Sequence, residues 1–164
     1  MKKTVSVAPM MDCTDKHEIY FLSLISKNIL LYTEMIVANA IIKGDRNKLL
    51  SFKNIPNPVI LQIGGSDPDQ LAEACKISED YGYKEINLNL GCPSKKVQKN
   101  KFGACLMQEP DLVGKCIEAM TKATKLPVTI KTRIGYNEIE NFEFLKSFIQ
   151  TTKNAGSKKF IIHA

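Results

Sequence analysis

Apolar segments rich in β-branched residues alternate with segments of helical periodicity along the whole chain. The six apolar segments span residues 5–8, 30–36, 59–63, 85–90, 128–131 and 160–163. Between several of them, apolar side chains recur every three to four residues, as on the buried face of a helix. Three such stripes are Leu71, Cys75, Ser78 and Tyr81; Leu112, Val113, Cys116, Ile117 and Met120; and Ile139, Phe142, Leu145 and Ile149. Strands that alternate with helices predict an α/β fold with a parallel sheet.

Polar side chains at the ends of the predicted strands distinguish between two kinds of parallel sheet. Gln62, Asn89, Lys131 and His163 each lie at or near the C-terminal end of a different strand, and Pro9 follows the first strand in the same way. An open doubly wound sheet gathers its site at one switch point, whereas a (β/α)8 barrel builds its site from many strand ends. The distribution therefore favours the barrel.

The length of the chain limits how much of a barrel it can form. A complete barrel of this type needs about 250 residues, whereas the chain has 164. We therefore expect a TIM (β/α)8-type barrel that is truncated after strand six, with residues 1–164 as the N-terminal part of a single domain. Strands one and six would then have edges without a neighbour.

Composition and charge narrow the class of protein. Apolar residues make up 44% of the chain and charged residues 24%, which is typical of globular proteins. We find no signal peptide and no apolar stretch long enough to span a membrane. The five cysteines form no CxxC pair, which favours a reduced, cytoplasmic protein.

A cluster of lysines contributes to the net charge of +6. Lys95, Lys96, Lys99 and Lys101 lie within seven residues of one another, in a predicted loop. Such a cluster is either a solvated surface or a site of attraction for a polyanion such as RNA. Its position directly after a candidate catalytic residue favours the RNA interpretation.

That candidate is Cys92, in the segment EINLNLGCPS at 85–94. The alternation of apolar and polar residues predicts a strand over 85–90, after which Gly91 allows a sharp turn and Pro93 ends the strand. Cys92 is thus presented just past a strand end, either as a nucleophile or as a general acid. Cys75 and Cys116 lie on helical stripes instead, which indicates packing.

The other candidate residues leave several interpretations open. Lys131 shares its strand face with Thr129 and Arg133, and it could form a Schiff base, balance an electron-rich ligand, or form a buried salt bridge. The amides of Gln62 and Asn89 could bind the edge of a planar heterocycle or only tie strands together. No close ligand pair indicates a metal site, and no phosphate-binding glycine fingerprint is present.

Seven separated segments resemble the bacterial tRNA-dihydrouridine synthases in order and spacing. They are APMMD at 8–12, LYTEM at 31–35, QIGG at 62–65, EINLNLGCPS at 85–94, FGACLM at 102–107, KTRIG at 131–135 and IIH at 161–163. The segments DKHEIYF at 15–21 and LYTEM at 31–35 most resemble the A subfamily, which acts on uridines 20 and 20a of the tRNA D-loop. The resemblance spans the whole chain.

The resemblance implies an FMN-binding barrel that is reduced by NADPH and that reduces uracil in tRNA. Cys92 matches the catalytic cysteine, which protonates C5 of a uracil flipped out of the RNA. The positions that match the flavin site are Pro9, Met10, Met11, Gln62, Lys131 and His163. Those expected to contact the substrate or tRNA are Asn89, Lys95, Lys96 and Arg133. Residues 95–101 match a mobile loop that closes over the site, and Cys105, which follows, is not assigned the proton.

The resemblance also implies parts beyond this chain. The last barrel strands and a helical tRNA-binding domain would complete a protein expected to be monomeric and to hold no metal. Three other functions remain possible. They are an FMN-dependent dehydrogenase of the dihydropyrimidine or dihydroorotate type, a Schiff-base aldolase that uses Lys131, and a non-catalytic RNA-binding remnant.

Overall fold

Six parallel strands form one sheet in the structure, a computed structural model that describes residues 4–52, 55–137, 139 and 141–164. The strands are β1 (Ser6–Val7), β2 (Leu30–Val37), β3 (Val59–Gly64), β4 (Glu85–Leu90), β5 (Val128–Arg133) and β6 (Phe160–His163). Consecutive strands pair in parallel, so β1 and β6 are the edges of the sheet. All six predicted strands are present, although β1 is shorter than predicted and β5 extends two residues further.

The strand order identifies the architecture. Neighbours follow one another from β1 to β6 without a reversal, whereas a doubly wound sheet reverses its strand order at a switch point. A sheet that always advances in one direction is the arrangement of a (β/α)8 barrel, here with six strands. The prediction of a truncated barrel is therefore confirmed as a half-barrel of parallel strands.

Helices connect the strands. They are α1 (Lys16–Ile25), α2 (Ala38–Lys43), α3 (Arg46–Leu50), α4 (Pro68–Ser78), α5 (Lys95–Lys99), α6 (Pro110–Ala123) and α7 (Phe142–Asn154), with 3-10 turns at Glu79–Tyr81 and Gly103–Gln108. Asp67 caps α4 by accepting hydrogen bonds from the backbone N–H groups of Asp69 and Gln70. The predicted apolar stripe on α6 is buried, with Val113 and Met120 near its two ends.

The predicted stripe on α7 is wrong in its first two residues, whereas Ile149 packs against the core. Ile139 precedes the helix, and Phe142 is 73% exposed. The side chain of Asn141 accepts a hydrogen bond from the Phe144 N–H and caps the helix, so Phe142 is its first residue and Ile139 lies outside it. The buried face therefore runs through Phe148 and Thr152.

The core lies between the sheet and the helices that cover it. Alternate strand residues such as Leu61, Ile86 and Ile130 are fully buried and pack in this layer. The residues between them, including Gln62 and Asn87, face the other side of the sheet. In the described residues, no helix is long and apolar enough to cross a bilayer.

Candidate active site

A cavity of about 1130 Å³ lies at the carboxyl ends of the strands. The predicted site residues that line it are Pro9, Met10, Met11, Gln62, Asn89, Cys92, Lys96, Lys131, Arg133 and His163. Lys95 alone among the predicted site residues does not line it and is exposed on α5. The polar strand ends that are scattered along the sequence therefore meet at one face of the sheet.

The turn that carries Cys92 is held from three directions. Asn89 Oδ1 accepts hydrogen bonds from the backbone N–H groups of Gly91, at 3.2 Å, and Cys92, at 3.0 Å. Arg133 Nε donates to the Gly91 carbonyl oxygen at 2.8 Å. The Ala104 N–H donates to the Cys92 carbonyl oxygen at 3.0 Å. Cys92 is half-buried. Its turn is therefore held by hydrogen bonds from Arg133 on β5 and from Ala104 in the 3-10 turn Gly103–Gln108.

Gly103 allows this close approach to Cys92. Its φ of +79° lies in the left-handed region, and a Cβ built there would lie 2.8 Å from the Cys92 carbonyl oxygen and 2.6 Å from Val97 Cγ1. No side chain fits at that distance from a backbone oxygen. A glycine is therefore required directly beneath the cysteine turn.

The segment that follows the turn is not the irregular loop that the lysine cluster suggested. It forms α5 and the 3-10 turn Gly103–Gln108, and both are packed against the barrel. Val97 and Phe102 are buried because the segment folds back over the strand ends. Lys95, Lys96 and Lys99 are exposed on this helix, and Lys101 is exposed just after it.

Lys131 and Arg133 place two positive charges in the cavity wall. Both are half-buried, and within the described residues neither forms an ion pair, although the carboxylates of Asp12 and Asp67 also line the cavity. Burial, and secondly the charge of Arg133, lower the pKa of Lys131. The three interpretations left open for Lys131 therefore stay predictions.

The loop after β1 is built around Thr14, which is buried. The Met10 N–H donates to Thr14 Oγ1 at 2.9 Å, and the Met10 carbonyl oxygen accepts from the Thr14 hydroxyl and N–H. Both the N–H and the carbonyl oxygen of Met10 are therefore hydrogen-bonded within the loop. Its side chain is 48% exposed and lines the cavity.

The amides of Gln62 and Asn89 tie neighbouring strands together, which was one of their two predicted roles. Asn89 Nδ2 donates to Gln62 Oε1 at 2.8 Å, and Gln62 Nε2 donates to Asn87 Oδ1 at 2.9 Å. Each NH2 group retains a second N–H. Asn87 was not predicted as a partner, although its alternation with Asn89 in the strand was the available signal.

Three other cysteines, Cys75, Cys105 and Cys116, do not share the setting of Cys92. Cys75 and Cys116 are fully buried, as predicted, and burial raises the pKa of each thiol to about 12. The Cys105 thiol donates to the Phe102 carbonyl oxygen, and it does not line the cavity. Among the residues that the structure describes, no three acidic, histidine or cysteine side chains cluster as metal ligands.

A half-barrel with a cavity at the carboxyl ends of its strands defines a (β/α)-barrel protein with a ligand site at this face. Residues 6–164 match the family model described as dihydrouridine synthase (Dus), so the chain belongs to the dihydrouridine synthase family. The resemblance inferred from the seven segments is confirmed.

Curated relatives agree with the family assignment. The chain is 54% identical over 160 residues to a protein of Synechocystis sp. named tRNA-dihydrouridine(20/20a) synthase, covering 98% of the chain and 48% of the relative. It is 49% identical over 164 residues to a protein of the same name from Shewanella oneidensis, covering 100% of the chain and 49% of the relative. The chain therefore spans about half the length of these relatives.

A solved structure supports the fold independently. A 2,3-dimethylmalate lyase of the PEP mutase/isocitrate lyase superfamily superposes with a TM-score of 0.62 at 15% identity. The match covers 98% of this chain and 56% of that one. At this identity the similarity concerns the fold alone.

Proposed function

We propose that the protein carrying this sequence is a flavin-dependent tRNA-dihydrouridine synthase. It reduces the C5–C6 bond of D-loop uridines, at positions 20 and 20a, with FMN as cofactor and NADPH as reductant. Membership of the dihydrouridine synthase family supports the reaction class. The name shared by its relatives supports the positions.

The single observation that carries the cofactor assignment is the pair of cations in the cavity wall. Lys131 and Arg133 lie side by side without a carboxylate partner among the described residues, in a setting that lowers the pKa of Lys131. Half-buried charges require a partner to offset their desolvation. An anionic ligand such as FMN, with its phosphate and its electron-rich ring, fits this requirement.

The size of the cavity agrees with this assignment. Its volume of about 1130 Å³ exceeds the roughly 300–1000 Å³ usual for the site of one small ligand. It therefore has room for a cofactor and a substrate base together. Pro9, Met10, Met11, Gln62 and His163 would contact the cofactor from the ends of three different strands.

A bound FMN supplies hydride chemistry, and the chain supplies the proton. Reduction at C6 of uracil builds negative charge at C5, and the Cys92 Sγ–H would donate its proton there. The Cys92 thiolate then regains a proton from solvent. Asn89, which holds the turn, would contact the substrate nucleotide.

Recognition of tRNA would begin on the exposed lysines of α5. Lys95 and Lys96 lie at the rim, next to the cavity, and would bind phosphates of an RNA whose target base is flipped out of its stack. Residues 1–164 would be the N-terminal part of the FMN-binding barrel. The remaining strands and the tRNA-binding helices would lie in the half of the relatives' length that this chain does not cover.

The test uses the full-length protein that contains this sequence. A yellow solution whose flavin absorbance is bleached by NADPH and restored by undermodified tRNA is expected. A colourless protein that also fails to bind added FMN would contradict the proposal. Reoxidation by free uracil but not by tRNA would favour the small-molecule dehydrogenase instead.

A further inference from the structure

An unbroken chain of side-chain hydrogen bonds crosses the inner face of the sheet. It starts at Glu85, the first residue of β4, whose Oε1 accepts from the Thr129 hydroxyl at 2.8 Å. Thr129 Oγ1 in turn accepts from Asn87 Nδ2 at 2.9 Å. Glu85 is half-buried, whereas Thr129 and Asn87 are fully buried. Water therefore has little access to the middle of this chain.

The chain continues through Gln62 to the cysteine turn. Asn87 Oδ1 accepts from Gln62 Nε2, and Gln62 Oε1 accepts from Asn89 Nδ2. Asn89 Oδ1 then accepts from the backbone N–H groups of Gly91 and Cys92. Every donor in the series points from the Cys92 turn toward Glu85.

The two ends of the chain fix this direction. A backbone N–H can only donate, so Asn89 must present its oxygen to the turn. An ionised carboxylate can only accept, so Glu85 requires the Thr129 hydroxyl to donate to it. Between these ends, Asn87, Gln62 and Asn89 could each be turned by 180°, and only the ends decide which way they lie.

We propose that Glu85 is a positioning residue for the Cys92 turn, acting through Thr129, Asn87, Gln62 and Asn89. The carboxylate fixes the orientation of the amides, and the last amide fixes the two N–H groups of the turn. A role of this positioning in catalysis rests on the proposed function. The orientation of the amides and of the two N–H groups does not rest on it.

Lys159 makes the idea testable because it also bonds to Glu85. Its Nζ lies 2.6 Å from Glu85 Oε2, and it can only donate. In a Glu85→Gln variant, Lys159 would draw the new amide oxygen toward itself and so turn the NH2 group toward Thr129. The hydroxyl of Tyr32 is also near Glu85, but a hydroxyl can donate or accept and therefore selects neither orientation.

In that variant the Thr129 hydroxyl loses its acceptor. Either it remains unpaired in a buried position, or the three amides turn over and leave the N–H groups of Gly91 and Cys92 unpaired. The half-buried turn can still reach water, so the second arrangement is favoured. Replacing Lys159 by methionine as well would free the amide oxygen introduced at position 85 to face Thr129 and restore the original direction.

Amide hydrogen exchange, measured by NMR on the 164-residue chain, tests the proposal without any activity assay. We expect the Gly91 and Cys92 amides to exchange about three- to tenfold faster in Glu85→Gln, the effect of losing one ordinary hydrogen bond. In Glu85→Gln/Lys159→Met they should return to the wild-type rate. The Val113 amide, which donates to the Glu109 carbonyl oxygen in the first turn of α6, is the internal reference for global opening.

Glu118→Gln is the matched control. Glu118 also lies 2.6 Å from a lysine, Lys122, but on the exposed surface of α6 and outside the chain of amides. It should leave the Gly91 and Cys92 amides unchanged. Unchanged exchange at these amides in Glu85→Gln, or the absence of rescue in the double variant, would overturn the proposal.

A second variant covers the possibility that Glu85→Gln unfolds. Thr129→Val keeps the Glu85–Lys159 pair and the side-chain shape but removes the link between Glu85 and Asn87. The same two amides should again exchange faster than in the wild type, and wild-type rates would overturn the proposal. If these results hold but the full-length protein reduces no uridine, the proposed function fails while the positioning role stands.

Discussion

Replacing Gly103 by alanine should destabilise the protein through the cysteine turn. At a φ of +79° any side chain is strained, which costs about 1–2 kcal/mol. The new Cβ would also lie 2.8 Å from the Cys92 carbonyl oxygen and 2.6 Å from Val97 Cγ1. Overpacking of this kind adds about 1–3 kcal/mol, so the total loss in the free energy of unfolding is about 2–5 kcal/mol.

Gly82 is a matched control for the backbone strain. Its φ of +87° is similar, but a Cβ built there meets no heavy atom within 4 Å. Gly82→Ala should therefore cost only the strain of about 1–2 kcal/mol. The difference between the two variants isolates the contact of residue 103 with the turn.

Urea unfolding followed by circular dichroism gives both free energies. For a chain of this size each kcal/mol also lowers Tm by about 2–4 °C. Equal losses in Gly103→Ala and Gly82→Ala would refute the reasoning, because the Cys92 carbonyl would then not be held against residue 103. A Gly103→Ala variant with normal stability would refute the strain as well.

Two other predictions concern the phase of α7 and the charge of Lys131. Phe148→Ala should lower the free energy of unfolding by about 3–5 kcal/mol, whereas Phe142→Ala should change it by no more than about 0.5 kcal/mol. A larger loss in Phe142→Ala than in Phe148→Ala, measured by urea unfolding, would support the stripe predicted from the sequence instead. The pKa of Lys131 is lowered in the folded state. Between its folded and unfolded pKa values the unfolded state therefore binds more protons, and below both values the charge of Lys131 destabilises the folded state. Lys131→Met should therefore raise Tm of the ligand-free chain at pH 7, with the gain shrinking as the pH approaches about 10.4, the ordinary lysine pKa; a lower Tm at pH 7 would indicate a stabilising partner for the charge.

The positions of the strands could be predicted because their apolar runs are short, β-branched and regularly spaced. Residues at strand ends, such as Gln62 and Lys131, could be placed on one face because the carboxyl ends of parallel strands share an edge. No local pattern predicts that Arg133 would bond to the Gly91 carbonyl oxygen, 42 residues away in the chain. Such contacts depend on the register of β4 against β5, which only the folded sheet defines.

Two errors have local causes. The stripe on α7 was misplaced because the capping role of Asn141 was not recognised, so Ile139 was counted into a helix that begins at Phe142. The segment after the turn was predicted as a loop because its lysines obscured the apolar residues Val97 and Phe102 between them. Those two side chains are buried and hold the segment against the barrel.

The central claim is that the thiol at the cavity, and not another cysteine nearby, donates the proton. Cys92→Ala and Cys105→Ala in the full-length protein compare a cavity residue with one that bonds to the Phe102 carbonyl oxygen outside it. Dihydrouridine formation in undermodified tRNA should fall by about 10²–10⁴-fold in Cys92→Ala and stay near the wild-type rate in Cys105→Ala, while NADPH bleaches the flavin in both. Wild-type product formation by Cys92→Ala would contradict the account, as would its loss in Cys105→Ala alone.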